Sequence, residues 1–144
     1  MVQINERVGG TIAKELVSSI DLYPTFLDIA GYEQNQGNEK ERRGVSLLKI
    51  ANQRKPYRQE VYSELGTSMM VRDANWKLVY DPEQGGVQYL FNLCNDPEEL
   101  NNLAGVAGYE QVEAKYVNEL LSRLIKITNY THDKEQQRVQ RVRV

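Results

Sequence analysis

Between residues 60 and 93 the chain alternates strand-like runs with clusters of turn residues, and little other than an antiparallel sheet can be built from that pattern. Glu60-Val61-Tyr62-Ser63-Glu64-Leu65 alternates polar and apolar side chains, the period of a strand covered on one face. Ser68-Met69-Met70-Val71-Arg72 follows. Asp73-Ala74-Asn75 then has the short polar side chains of a tight turn, and Trp76-Lys77-Leu78-Val79-Tyr80 returns antiparallel. A second turn cluster, Asp81-Pro82-Glu83-Gln84-Gly85-Gly86, leads into a fourth run, residues 87–93. Strands joined by turns this short form a meander with one face to cover.

The cover is encoded further on. Over residues 109–129, Val112, Tyr116, Leu120, Leu124 and Ile127 recur at helical spacing, with Val117 and Leu121 flanking them. This predicts a long amphipathic helix lying over the sheet. In between, Asp96-Pro97-Glu98-Glu99 predicts the start of a helical turn, with Asp96 as N-cap, proline at the first helical position and acids at the positive helix end. Leu100 and Leu103 are then expected to dock on the sheet, and Gly105 and Gly108 to allow a bend. Residues 134–144 read as a polar, fraying tail in which Val139, Val142 and Val144 could add an edge strand.

The N-terminal third reads differently. Leu16-Val17-Ser18-Ser19-Ile20 suits an extended segment. Asp21 is positioned to cap a helix over residues 22–30, with Pro24 at its third position, where the backbone donors have no intrahelical partner, and Gly31 as the left-handed stop. Residues 33–43 form a loop. Gly44-Val45-Ser46-Leu47-Leu48 opens a short helical turn with Ser46 as candidate cap, and Arg54-Lys55-Pro56-Tyr57 breaks it. The helix after Asp21 is apolar around most of its circumference and so needs burial on more than one side, which a chain of 144 residues can hardly supply. Leu22, Tyr23, Phe26, Leu27 and Ile29 are therefore the candidate partner interface, facing either a larger neighbour or a second copy. The fold class expected is α+β: a four-stranded antiparallel sheet packed against a long C-terminal helix, with an N-terminal helical and loop segment.

Composition closes off several functions. A net charge of −2 lacks the concentrated basic face that nucleic acid requires. The single cysteine, Cys94, precludes an intrachain disulfide and reads as a half-buried small residue beside a strand end. The single histidine, His132, precludes a His-rich metal site. No apolar run is long enough for a membrane span. Residues 1–10 lack the apolar core of a secretory signal, so a cytoplasmic location is the expectation for the chain as encoded.

Four segments, in order, resemble the C-terminal part of sulfatases. Ile20-Asp21-Leu22-Tyr23-Pro24-Thr25, ending in Ala30-Gly31, is similar to the family's Asp-Leu-x-Pro-Thr helix, and Gly44-Val45-Ser46-Leu47-Leu48 to its Gly-x-Ser-Leu turn. Val71-Arg72-Asp73 with Trp76-Lys77-Leu78-Val79-Tyr80 is similar to its Arg-x-x-x-x-Lys-Leu hairpin. Tyr89 through Ala104, with Asp96-Pro97-Glu98 followed by Asn102-Leu103, resembles its aromatic strand running into Asp-Pro-x-Glu and Asn-Leu. Together they span residues 8–133.

The resemblance implies an enzyme of two parts. A large α/β part carries the reaction through a formylglycine, made from the first residue of Cys/Ser-x-Pro-x-Arg, and a divalent cation, usually calcium. A smaller part carries a four-stranded sheet and helix. On that basis residues 1–56 are a linker and helix segment at the edge of the catalytic part, residues 57–133 the C-terminal sheet and helix, and 134–144 a tail. Enzymes of the family are often exported.

Cys94-Asn95-Asp96-Pro97-Glu98 does not match the nucleophile motif, since aspartate and glutamate stand where proline and arginine are required. The family's paired metal-binding aspartates are also missing. The chain is thus expected to hold no catalytic residue, no metal ligand and no cofactor, and to serve as a non-catalytic C-terminal piece of a sulfatase. A stand-alone interaction module and one half of a split enzyme are the alternatives. Arg72 and Lys77 are weak candidates for contact with a sulfate, weighed against pairing with Glu64 or Asp73. Trp76 and Tyr80 share a strand face on which sugar stacking is conceivable and core packing is the default. Asp21 and Asp28 read as a cap and a solvent-facing position.

Overall fold

Asp73 shows how a local side chain sets the sheet. In the computed structural model, which describes residues 14–32, 44–53 and 57–142, its Oδ1 accepts the N–H groups of Asn75 and Trp76, both at 2.7 Å, and its own N–H donates to the Trp76 carbonyl at 3.0 Å. The turn so closed joins β2 (Ser68–Arg72) to β3 (Trp76–Asp81); β1 (Val61–Leu65) and β4 (Gly86–Asn92) complete one sheet of order β1-β2-β3-β4. β2 and β3 pair antiparallel from Met69↔Tyr80 to Arg72↔Lys77. β3 and β4 pair from Trp76↔Asn92 to Asp81↔Gly86, with a shift between Val79 and Tyr80. At the second turn, buried Asp81 accepts from the Ser68 hydroxyl (2.6 Å) and the Glu83 N–H (3.0 Å). Gly85 and Gly86 supply its φ values of 89° and 118°, which side chains resist.

Because side chains alternate along a strand, Val71, Leu78 and Leu90 share one face in register, and all three are fully buried. That face is covered by α3 (Glu110–Val142), whose Tyr116 and Leu120 complete the core cluster. Trp76 and Tyr80 pack against this cluster, and Trp76 meets Tyr109 edge-to-face with ring centroids 5.9 Å apart. The Tyr116 hydroxyl donates to Asp73 Oδ2 at 2.6 Å, so one aspartate closes the hairpin and holds the helix on it. α3 continues past the expected end near residue 129, through most of the stretch read as a fraying tail or edge strand. The apolar stripe stops there, but Lys, Glu, Gln and Arg are good helix formers and no proline or glycine intervenes.

The free edge of β4 is closed by the segment after it. Asn102 Oδ1 accepts the Leu90 N–H at 3.0 Å, Asn102 Nδ2 donates to the Gln88 carbonyl at 3.0 Å, and the Leu103 N–H donates to the Leu90 carbonyl at 2.8 Å. An asparagine side chain thus imitates a strand, which protects the edge from pairing elsewhere. At the helical turn expected from Asp96 no helix forms, and the chain makes an isolated reverse turn closed by the Glu99 N–H on the Asp96 carbonyl at 3.1 Å. Glu99 has φ 59°, and a left-handed residue cannot propagate a helix. Asp96 still takes orphan donors, those of Leu100 (3.1 Å) and Asn101 (2.8 Å). Leu103 packs on the core as expected; Leu100 is 75% exposed, because the chain leaves the left-handed turn pointing away.

Several carboxylates are held below their ordinary pKa. For Asp73, burial pushes upward, but the Tyr116 hydroxyl, the Asn75 and Trp76 amides and the Lys115 charge outweigh it. The Ser68 hydroxyl lowers Asp81, the Asn101 and Leu100 amides lower Asp96, and its own amide with that of Gly108 lowers Glu110. A depressed folded-state pKa means the unfolded chain binds more protons, so this stability is fully present above the unfolded pKa and disappears as pH falls through the folded one. Urea midpoints are therefore expected to be flat from pH 7 to 5 and to fall below about pH 4. A midpoint that rises on acidification would contradict these contacts.

The contacts divide the chain into two compact units, Met1–Val61 and Tyr62–Val144. In the first, Ser18 is extended (φ −136°, ψ 160°) as expected, but Ser19 and Ile20 turn into a short 3₁₀ segment, Ser19–Asp21. It leads into α1 (Leu22–Ile29), within which Tyr23 stays helical although proline follows it. Gly31, φ 68°, ends the helix: the Tyr32 N–H returns to the Leu27 carbonyl at 3.0 Å and the Gly31 N–H to that of Asp28 at 3.1 Å. α2 (Leu47–Gln53) follows. The loop expected over residues 33–43 and the break at 54–56 lie outside the described residues.

Candidate functional site

The most connected side chain of the first unit is Asp21. It is fully buried, and its carboxylate does not cap α1. It faces backward: Oδ2 accepts the Ser18 N–H at 2.8 Å, while Oδ1 accepts the Val45 N–H at 2.9 Å and Arg58 Nη2 at 2.5 Å. Three segments far apart in sequence thus meet on one charge. The Asp21 carbonyl also accepts the Thr25 hydroxyl at 2.5 Å, and Thr25 Oγ1 accepts the Leu47 N–H at 2.8 Å. Thr25 therefore satisfies the start of α2, the task expected of Ser46. The Ser46 hydroxyl is buried with no hydrogen-bond partner among the described residues, while its carbonyl accepts the Ile50 N–H at 3.1 Å. Gly44 is needed where it is, since a Cβ there would stand 2.1 Å from the Ile20 carbonyl oxygen.

These bonds give physical reasons for the residue types of the first two motifs. Aspartate gathers three donors, threonine bridges two helix starts and glycine permits close backbone approach. All are structural tasks, and the Asp21 carboxylate serves them instead of capping α1 as its sequence position suggested. Asp28 is half-buried.

The same contacts turn α1 inside out relative to an ordinary amphipathic helix. Pro24 and Thr25 are its buried residues. Leu22 (46%), Tyr23 (63%), Phe26 (64%) and Ile29 (52%) are exposed, as are Val17, Ile20 and Tyr32 around them, and Leu27 is half-buried. Single exposed apolar residues are ordinary; here several lie on one short helix and its flanks.

In the second unit, Lys77 pairs with Glu99 at 2.5 Å, and Asp73 is occupied by its turn amides and Tyr116, so neither expected partner of the strand charges takes that role. The left-handed turn is what delivers Glu99 to Lys77, a consequence the sequence did not disclose. Arg72, the register neighbour of Lys77, is exposed and forms no ion pair among the described residues. Cys94 is exposed, contrary to the half-buried position expected, because it lies in the turn beyond β4; its Sγ is 3.1 Å from Asn75 Oδ1. Trp76 and Tyr80 are half-buried and pack against the core cluster, the default expected of them.

A divalent cation needs several oxygen or nitrogen ligands converging on one point. Among the described residues, no group of three or more His, Cys, Asp or Glu side chains is arranged to hold one. A formylglycine does not fit either, given the residues that follow Cys94. Among the described residues no helix is long and apolar enough to cross a membrane.

The buried aspartate knot and apolar helix of the first unit and the helix-covered antiparallel meander of the second make an α+β architecture. The chain belongs to the family described as N-sulphoglucosamine sulphohydrolase, C-terminal, which matches residues 2–126. It is 32% identical to human arylsulfatase K over 114 residues, 67% of this chain and 20% of that protein. A candidate sulfatase from Bacteroides thetaiotaomicron has a similar structure, with TM-score 0.56 and 28% identity over 76% of this chain and 24% of its own. A second similar structure holds its substrate D-glucosamine-2-N,6-O-disulfate, with TM-score 0.52 and 25% identity over 74% of this chain and 23% of its own. The chain thus spans about a fifth of the length of the curated relatives it matches.

Proposed function

We propose that these residues act as the non-catalytic C-terminal subdomain of a sulfatase, supporting a catalytic part that supplies the formylglycine and the divalent cation. The observation that carries this is the exposed apolar face of α1. Leu22, Tyr23, Phe26 and Ile29 are all exposed on the helix that follows the Asp21 knot, and a covering surface would remove that apolar area from water. Each such side chain, once fully buried, contributes about 1.5–3 kcal/mol to the contact. The catalytic part is the covering surface favoured here, because the matched relatives are several times longer than this chain. The sulfated glucosamine of the second structural relative makes a sulfated sugar the parent's substrate class in this reading.

The isolated chain is then expected to bind a fluorescent apolar dye such as ANS at this face. Phe26→Asp with Ile29→Asp should abolish most of that fluorescence while leaving the helical circular-dichroism signal unchanged. Dye binding that survives both substitutions would sink the assignment. Concentration-dependent dimerisation of the wild-type chain, lost in the double variant, would point to a second copy as the natural cover.

A further inference from the structure

We propose that the far half of α3 pairs antiparallel with the same helix of a second copy of this chain. α3 runs to Val142, past residue 126, where the family match ends. Tyr116 and Leu120 are its contribution to the core over the sheet. At 3.6 residues per turn, Leu121 and Ile125 stand roughly 140° around the helix from that pair. They are 51% and 60% exposed. From Ile125 onward a stripe recurs in steps of three and four: Ile125, Thr128, His132, Glu135, Val139 and Val142. This is the spacing of a seam between two helices, with aliphatic residues towards both ends and two polar residues at its centre. Val139 and Val142, expected from sequence to lie in a tail or an edge strand, fall within the helix and on this stripe.

The two polar positions select the partner and its direction. A parallel pair of copies would set Glu135 on Glu135 and His132 on His132, like against like. Reversed, in the register that sets Ile125 against Val142, Thr128 meets Val139 and His132 meets Glu135. Two-fold symmetry then makes each pairing twice. An imidazole N–H donates to a carboxylate whether the ring is neutral or charged. Sliding the partner by one seven-residue repeat sets Glu135 against Ile125 instead, which costs the carboxylate its water with no hydrogen bond in return. The stripe is thus complementary to its own reverse, the property a second copy requires. The overlap, residues 125–142, is about 27 Å long. It begins just beyond Leu120, the last core residue of α3, so the sheets of the two copies stand at opposite ends of the pair. A seam this short with a polar centre makes a weak interface, with a dissociation constant on the order of 10–100 µM. The inference stands without the supporting-domain reading and uses a different helix from α1.

The test is sedimentation of the full chain over about 5 to 500 µM, a range in which the wild type is expected to pass from monomer to dimer. Ile125→Asp should weaken the dimer about a hundredfold, because the residue is used twice in the seam. Its position is exposed, so the urea midpoint should stay where it is. Ile125→Gln, which keeps a good helix former there, should weaken the dimer as well, so a folding defect in the aspartate variant does not decide the outcome. Phe26→Asp with Ile29→Asp should leave the dimer intact. Direction is read by oxidation on a Cys94→Ser background. Thr128→Cys mixed with Val139→Cys should form a disulfide between copies, and neither variant alone should. A chain that stays monomeric throughout, a dimer that survives both Ile125 substitutions or is lost with those in α1, or cross-linking of Thr128→Cys to itself would each overturn the proposal. A monomeric result leaves the supporting-domain reading in place, and dye binding that fails as described above leaves the cross-linking result standing.

Discussion

Replacing Asp21 with alanine is expected to unravel the N-terminal unit while leaving the sheet folded. The substitution strips the acceptor from the Ser18 and Val45 amides and leaves the Arg58 guanidinium, whose side chain is only 15% exposed, without its counter-charge. Removing one member of a buried ion pair costs about 3–5 kcal/mol, chiefly because the other is left uncompensated. Hydrogen exchange at the Val45 and Leu47 amides should therefore accelerate by about two to three orders of magnitude. Trp76 lies in the other unit, and its fluorescence should report an unchanged transition. Asp21→Asn, which keeps an acceptor oxygen but loses the charge, should fall between. Equal exchange in wild type and Asp21→Ala would mean that the knot does not hold this unit together.

Leu78→Ala is the corresponding experiment on the sheet. Leu78 is fully buried at the centre of β3, paired across to Val71 and Leu90 and covered by Tyr116 and Leu120. Truncation there removes the burial and leaves a cavity that two crossing strand pairs cannot close, at a cost of about 2–5 kcal/mol. Domains of this size are stable by only about 5–15 kcal/mol, so a large fraction of the total disappears. The urea midpoint followed through Trp76 should drop accordingly. Leu65→Ala on β1, at an 84% exposed position, should shift it by no more than about 0.5 kcal/mol. Comparable losses from the two would place the core elsewhere.

Much of this fold was legible because it is written in local chemistry. The Asp73-Ala74-Asn75 turn and the Gly85-Gly86 pair each signal a reversal within a few residues, and the strands between them follow. The stripe of Val112, Tyr116 and Leu120 likewise announces the helix that covers them. What the sequence hid depends on partners distant along the chain. Asp21 looks like a cap because capping is the task an aspartate most often has before a helix. Only the folded arrangement shows its bonds to Val45 and Arg58, 24 and 37 residues away. Glu99 looked like an acid at a helix start, and its left-handed backbone is invisible in a residue type that rarely adopts it. The pairing of Lys77 with Glu99 depends on that backbone, as does the exposure of Leu100. Asn102 acting as a strand edge has no periodic signal at all.

The candidate surfaces were legible to different degrees. The unusual apolarity of Leu22, Tyr23, Phe26 and Ile29 made them the candidate partner interface in the sequence, and in the structure all four are exposed. On the sheet face opposite α3, the sequence offers Arg72 and Lys77 as candidate sulfate contacts; Lys77 is paired with Glu99, while Arg72 is exposed. Trp76 and Tyr80 were the more conspicuous aromatics, and they pack half-buried against the core cluster.

Whether residues 1–144 can hydrolyse a sulfate ester unaided decides between a supporting domain and an enzyme. The purified chain, given an aryl sulfate and calcium, is expected to release product at the uncatalysed rate. Turnover well above that rate, abolished by substituting a residue within the chain, would contradict the assignment outright.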